Sequence, residues 1–301
     1  MTDDAVPQLV DTAWLAANLD DPDLRVLDCT VHLEIDRETG EIHTEPGREG
    51  WLDERVPGSA FADVLGDLSE TEDPDFWLQA PDAEAFAAAM ERLGVGDGAR
   101  VVCYDRTDSN MWAARVWWLL RAFGFDRAGI LDDGLRAWTA EGRPTESGPV
   151  DSDDTPDPAS VAFTPDPRPE LLADREEVLA SIDDGSRRLV NALRTEDHLG
   201  EGPVKYGRPG RIPGSVNVPA SWEDGVVDPE TATYRSRDTL RRLFARAGAT
   251  DRDRVITYCG GGIAASSVAF ALTLVGVDDI AVYDGSLAEW GADPDLPMTR
   301  E

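Results

Sequence analysis

Lysine is all but missing from this chain: Lys205 stands alone among 28 basic residues, against 60 Asp and Glu, for a formal charge of −32 over 301 residues. A surface so negative excludes nucleic acid as a partner, because a polyanion would be repelled over most of it. The acidic residues are spread along the chain and not gathered in a tail, which matches the adaptation of salt-accumulating halophiles, where molar salt screens the repulsion. Long apolar runs are missing too. The longest, around residues 268–277, is too short to span a bilayer. Met1-Thr2-Asp3-Asp4 lacks the basic-then-apolar pattern of a signal peptide, so a soluble cytoplasmic protein with no membrane partner is expected. Cysteine is scarce: Cys29, Cys103 and Cys259 show no CxxC spacing and no nearby histidine pair. That argues against a disulfide framework or a zinc site. His32, His43 and His198 have no metal spacing and read as solvated loop residues more readily than as proton shuttles.

What is present is enough for two ordinary domains, with 41% hydrophobic residues and nine Trp. The chain repeats itself. Arg55-Val56-Pro57-Gly58-Ser59 returns as Arg211-Ile212-Pro213-Gly214-Ser215, and Arg100-Val101-Val102-Cys103-Tyr104 returns as Arg254-Val255-Ile256-Thr257-Tyr258. Asp133-Gly134-Leu135-Arg136-Ala137-Trp138 returns as Asp284-Gly285-Ser286-Leu287-Ala288-Glu289-Trp290 with one residue inserted. Each copy alternates short β-branched runs with amphipathic segments, which implies an α/β fold of parallel sheets with helices on both faces. The clearest helices are expected at 83–93, 113–123, 238–247 and 265–275, the first entered through Pro81 with Asp82 as its cap. The domains are expected at 1–145 and 170–301. A Pro/Asp/Ser-rich linker at 146–169 joins them, with a short strand at 160–164. Trp117-Trp118 reads as packing between helix and sheet, and residues 70–75 as a solvated acidic loop over the first domain.

Cys259 closes an apolar run and is followed at once by Gly260-Gly261-Gly262-Ile263-Ala264 and a helix. Glycines let a backbone curl so that successive N–H groups point inward, and a helix start adds unpaired donors and a positive dipole end. The pattern is suited to a sulfur anion, and thiolates are the nucleophilic form of cysteine. Its counterpart in the first copy is Asp105, so only the second copy carries the nucleophile. Cys29 and Cys103 read as small buried hydrophobes.

Three blocks together resemble the two-domain rhodanese family of sulfurtransferases: Arg211-Ile212-Pro213-Gly214-Ser215-Val216-Asn217-Val218-Pro219, the loop Cys259-Gly260-Gly261-Gly262-Ile263-Ala264, and Tyr283-Asp284-Gly285-Ser286. Residues 115–124 are similar to that family's inactive first domain. The resemblance covers nearly the whole chain and implies two tandem rhodanese-like domains. It further implies a double displacement with no metal or organic cofactor: Cys259 takes the outer sulfur of a small anionic donor such as thiosulfate, becomes a persulfide, and passes that sulfur to cyanide or a thiol. The amides of Gly260, Gly261, Gly262, Ile263 and Ala264 would stabilise the anion, and the Ser286 hydroxyl would donate to it. Arg194, Lys205, Arg208 and Arg211 are candidates for binding the donor, each with a purely structural role as the alternative.

The loop departs from the family in carrying no basic residue, and Gly261 and Ala264 replace the Ser and Thr of the 3-mercaptopyruvate-using branch. Thiosulfate is favoured as donor. Use of 3-mercaptopyruvate, or a persulfide-carrier role without strong donor activity, are the alternatives. A cysteine phosphatase needs an Arg six residues after its nucleophile to clamp phosphate, and that position is Ala265.

Overall fold

The computed structural model describes residues 5–36, 38–149 and 161–300. In the first unit, strands β1 (Leu9–Val10), β2 (Leu24–Asp28), β5 (Ala60–Phe61), β6 (Arg100–Tyr104) and β7 (Ala128–Leu131) form one parallel sheet in the order β1-β7-β6-β2-β5. Helices α1 (Thr12–Asn18), α2 (Arg48–Asp53), α3 (Ala83–Arg92), α4 (Met111–Ala122) and α5 (Gly134–Ala140) flank it. A two-stranded ribbon, β3 (Val31–Ile35) and β4 (Ile42–Pro46), leaves this sheet after β2.

The second unit repeats the plan. Strands β8 (Leu172–Ala173), β9 (Arg187–Asn191), β10 (Val216–Asn217), β11 (Arg254–Tyr258) and β12 (Ile280–Tyr283) run in the order β10-β9-β11-β12-β8, which is the first sheet read from its other edge. Its helices are α6 (Arg175–Ser181), α7 (Thr195–His198), α8 (Arg237–Ala247), α9 (Ile263–Leu274) and α10 (Ser286–Trp290). None of the helices among the described residues is long and apolar enough to cross a membrane.

The repeated motifs recur because each makes the same bond twice. The hydroxyl of Tyr104, at the end of β6, accepts the Val56 amide at 3.4 Å and meets Ser59 Oγ at 3.1 Å. Tyr258, at the end of β11, does the same with the Ile212 amide at 3.2 Å and Ser215 Oγ at 2.7 Å. The serine of Pro-Gly-Ser therefore pins its turn to the carboxyl end of the central strand. Likewise the Trp138 indole donates to Pro144 O and the Trp290 indole to Pro297 O. Asp82 caps α3 by accepting the Ala85 amide at 2.8 Å. Trp117 and Trp118 are buried in α4, the former donating to Ala128 O of β7.

Helices α4 and α9 each begin two residues earlier than their apolar period suggests. Their caps are Asn110 and Gly262, both left-handed (φ 51° and 78°) with no side-chain cap bond, so no capping residue marks the start. The unit boundaries also differ from the repeat boundaries. The second unit comprises Leu33–Thr44, Thr71–Gln79 and Pro169–Glu301, and the first comprises the remainder. Most of the β3–β4 ribbon and the acidic loop from Thr71 onward thus pack with the second unit, not the first. Gly40 of the ribbon lies so close to Val204 that a β-carbon there would stand 2.5 Å from its carbonyl oxygen. Of the expected linker, residues 150–160 lie outside the described residues, and 161–164 form no strand. Phe163 instead packs against Phe86 and Phe125, and the Phe163 and Thr164 amides donate to Glu91 and Asp97 side chains.

Candidate active site

Strand β11 lies between β9 and β12, and Val255, Ile256, Thr257 and Tyr258 are all buried, as a strand covered on both faces requires. Cys259 is the next residue, at the carboxyl end of the sheet where ligands of open parallel sheets sit. It is 2% exposed. The chain then turns through Gly260, Gly261 and left-handed Gly262 into α9, whose residues are nearly all buried. That burial explains why the helix reads as apolar all round.

The amides of Gly260, Gly261, Ile263 and Ala264 find no acceptor among the described residues. Their opposite groups are tied down: Cys259 O accepts the Leu287 amide at 3.1 Å and Gly260 O accepts the Ala288 amide at 2.8 Å. The first turn of α10 thus holds the loop by its carbonyls. Ser286 is central to this, but not as the resemblance implies. Its hydroxyl donates to Tyr283 O at 2.7 Å, while its oxygen accepts the Cys259 amide at 3.0 Å and the Gly262 amide at 3.2 Å. The hydroxyl hydrogen therefore points away from the thiol, and the Gly262 amide is already engaged. Four expected loop amides remain free and Ser286 is the clamp that shapes them.

Two aromatic residues stand over the loop. A β-carbon on Gly260 would overlap the Tyr206 ring and hydroxyl oxygen, and one on Gly261 would lie 2.9 Å from Trp77 Cε3. Glycine at both positions is thus a matter of room beneath these rings. Trp77 and Tyr206, with Ile42, Lys205 and Ala288, line a cavity of about 370 Å³. Burial, then the negative charges of Cys259 and Asp197, hold the Tyr206 phenol well above its ordinary range, so it is protonated at neutral pH. Its hydroxyl has no partner among the described residues. Sequence reasoning passes over both residues. Tyr206 sits beside the lone lysine, which is a signal of sorts, but Trp77 lies some 180 residues upstream with nothing to link it to the loop.

The candidate cations separate. Lys205 forms an ion pair with Asp197 at 2.6 Å, both side chains largely buried, and alone among the four it lines the cavity that holds both Trp77 and Tyr206. Arg208 donates to the carbonyls of Gly291, Leu296, Trp290 and Asp293. Four of its five N–H groups close the chain around the end of α10, a structural role. Arg211 donates to His198 O at 3.3 Å. Arg194 lies 4.7 Å above the Trp222 ring and 3.5 Å from Glu196, lining a different cavity of about 390 Å³. His198 is not a solvated loop residue: it is buried in α7, and burial together with Arg211 pushes its pKa down to about 4. His32 and His43 lie in the β3–β4 ribbon. Among the described residues no cluster of His, Cys, Asp or Glu could hold a metal ion.

The first unit fills the matching place with a resident anion. Asp105 follows β6 as Cys259 follows β11, and its carbonyl accepts the Leu135 amide as that of Cys259 accepts Leu287. Its carboxylate accepts from the Thr107 amide and hydroxyl and from the Trp112 and Ala113 amides at the start of α4. The donors that a ligand would need are already occupied.

A rhodanese-like domain matches twice, over residues 11–141 and 174–293. The chain is 31% identical over 296 residues to the 3-mercaptopyruvate sulfurtransferase of Escherichia coli K12, covering 95% of each. It is 32% identical over 293 residues to the thiosulfate sulfurtransferase of Rattus norvegicus, covering 94% of this chain and 91% of the relative. A crystal structure of an Escherichia coli 3-mercaptopyruvate sulfotransferase superposes with a TM-score of 0.76 at 28% identity, covering 93% of this chain and 99% of the other. Such coverage defines a tandem two-domain sulfurtransferase. The chain belongs to the rhodanese family.

Proposed function

We propose that this chain moves a sulfane sulfur from a small anionic donor to a nucleophilic acceptor through a persulfide on Cys259. The observation that carries this is the placement of Cys259 at the head of four unpartnered amides, held open by Ser286 and α10. With thiosulfate, the Cys259 thiolate bonds to the outer sulfur, the sulfur–sulfur bond of the donor breaks, and sulfite leaves with the electron pair. Cyanide or a thiolate then attacks the outer persulfide sulfur and the Cys259 thiolate departs. Both halves shift negative charge between sulfur atoms, which suits fixed main-chain donors. Neither transfer from thiosulfate nor transfer to cyanide needs a proton, so a loop with no hydroxyl suffices. Of the four candidate cations, Lys205 lines the cavity beside Trp77 and Tyr206 and is the one placed to favour an anionic donor there, its charge shared with Asp197.

A second donor, 3-mercaptopyruvate, is favoured by one specific observation: a free phenol over the loop, opening on a cavity roomy enough for an organic acid. The test is a mass measurement on the intact protein. Brief exposure to thiosulfate is expected to add one sulfur atom, and cyanide to remove it, in the wild type but not in Cys259→Ser. A protein that gains the atom only from another persulfide protein is a carrier, and the donor half of this reading is then wrong.

A further inference from the structure

We propose that Tyr206 is a catalytic residue that lets this site take sulfur from carbon as well as from sulfur, by relaying the proton that cleavage of a 3-mercapto-2-oxo acid requires. The inference rests on the persulfide reading above and adds a residue and a step to it.

The step is set by the donor's chemistry. When the Cys259 thiolate bonds to the sulfur of such an acid, the carbon–sulfur bond breaks and its electron pair stays on carbon as an enolate. The thiol hydrogen must leave sulfur, and a hydrogen must reach that carbon. Tyr206 gives its proton to the carbon and recovers one from the sulfur. The sum is thiolate plus mercapto-oxo acid giving persulfide anion plus 2-oxo acid, with no oxidant or reductant. Thiosulfate cleavage releases sulfite and involves no such transfer.

The site offers few groups for this work: of the ionisable side chains lining the cavity, Glu41 pairs with His43 in the ribbon at 3.8 Å and Lys205 pairs with Asp197. Positions 260–264 carry no hydroxyl and no ionisable side chain. The surrounding hydroxyl hydrogens are all engaged: Ser286 to Tyr283 O, Ser266 to Gly262 O, and Thr257 to Ala265 O. Tyr206 is the exception. Its oxygen lies where a side chain on Gly260 would begin, one residue from the thiol, and it has no partner among the described residues. It also lines the cavity of about 370 Å³ where an organic donor would rest, beside Trp77 and the Lys205–Asp197 pair. Burial keeps the phenol protonated, as a donor must be.

Tyr206→Phe retains the ring over Gly260 and removes only the hydroxyl. Single-turnover loading of Cys259, read by intact mass, is compared for thiosulfate and for 3-mercaptopyruvate. The ratio of the mercaptopyruvate rate to the thiosulfate rate is expected to fall roughly 100-fold or more in the variant, the ordinary worth of a proton-transfer group. The wild-type rate with 3-mercaptopyruvate is expected to slow in deuterated water. A ratio that stays constant overturns the inference, whether both rates fall together or neither moves. A wild type that loads from thiosulfate but not from 3-mercaptopyruvate overturns it too, and leaves the persulfide reading intact. Loading from neither donor defeats that reading itself.

Discussion

Ser286 holds a left-handed backbone, φ +48°, at the position where the first unit has Gly134 at +49°. For a residue with a β-carbon this conformation costs about 1–2 kcal/mol. The hydroxyl offsets it by accepting the Cys259 and Gly262 amides, which no other group in the site satisfies. Ser286→Ala keeps the strain and orphans two buried donors, so we expect a loss of about 1–3 kcal/mol in chemical denaturation, together with slower loading of Cys259. Ser286→Gly relieves the backbone and should recover stability relative to Ala without recovering the rate. If both variants load sulfur like the wild type, Ser286 does not shape the loop. Cys29 and Cys103 are also buried but belong to the first unit. Serine at either is expected to lower stability by about 1–3 kcal/mol, the cost of a buried hydroxyl with an imperfect partner, while sulfur loading persists. A folded variant of either that no longer loads would mean the wrong nucleophile has been named.

At the scale of elements, the turn between β11 and α9 works only because nothing projects from its first two glycines. Gly260→Ala drives a methyl group into the Tyr206 ring. We expect a lowered melting temperature, recovered in the Gly260→Ala/Tyr206→Ala double variant, where the methyl group has room. Failure of the second change to restore any stability would show that the backbone itself, not the ring above it, demands glycine. This element was the most legible part of the sequence. The strand, lone cysteine, glycine arc and helix are local, contiguous and repeated in outline by the first copy, so their order could be read directly. That the two sheets would share one plan followed from the same duplication, whereas their strand order rests on pairings between distant segments. What could not be read were bonds whose partners are far apart in the chain. The direction of the Ser286 hydroxyl depends on the Tyr283 carbonyl and two loop amides. The engagement of Arg208 depends on carbonyls more than 80 residues away. A run of basic residues before a turn looks the same whether its guanidinium groups face a ligand or the protein's own main chain.

For the molecule as a whole, charge sets the working conditions. We propose that the acidic surface is tuned to concentrated salt. The range of charge repulsion shrinks from about 10 Å at 0.1 M to about 3 Å at 1 M, so the melting temperature should climb over that interval. A flat or falling curve would disprove the adaptation. Asp105 adds a titration inside the first unit. Burial pushes its pKa up to about 6 from 3.8, so the folded state favours the protonated acid. Its contribution to stability is fully present below pH 3.8 and declines as pH rises to about 6. The size is about 3 kcal/mol by linkage. Asp105→Asn removes that titration, so the variant's stability should gain on the wild type between pH 4 and 6. A difference independent of pH would place the titration elsewhere.

The packing of Trp77 with the second unit has a consequence for whether the later copy could serve alone. A gene encoding only residues 170–301 would supply the sheet, the cysteine and Ser286, but neither the indole above Gly261 nor the ribbon that borders Lys205 and Tyr206. Deleting the first copy would therefore strip the candidate site of parts that lie before residue 80, and the half that carries Asp105 in place of a thiol is the half that lends them.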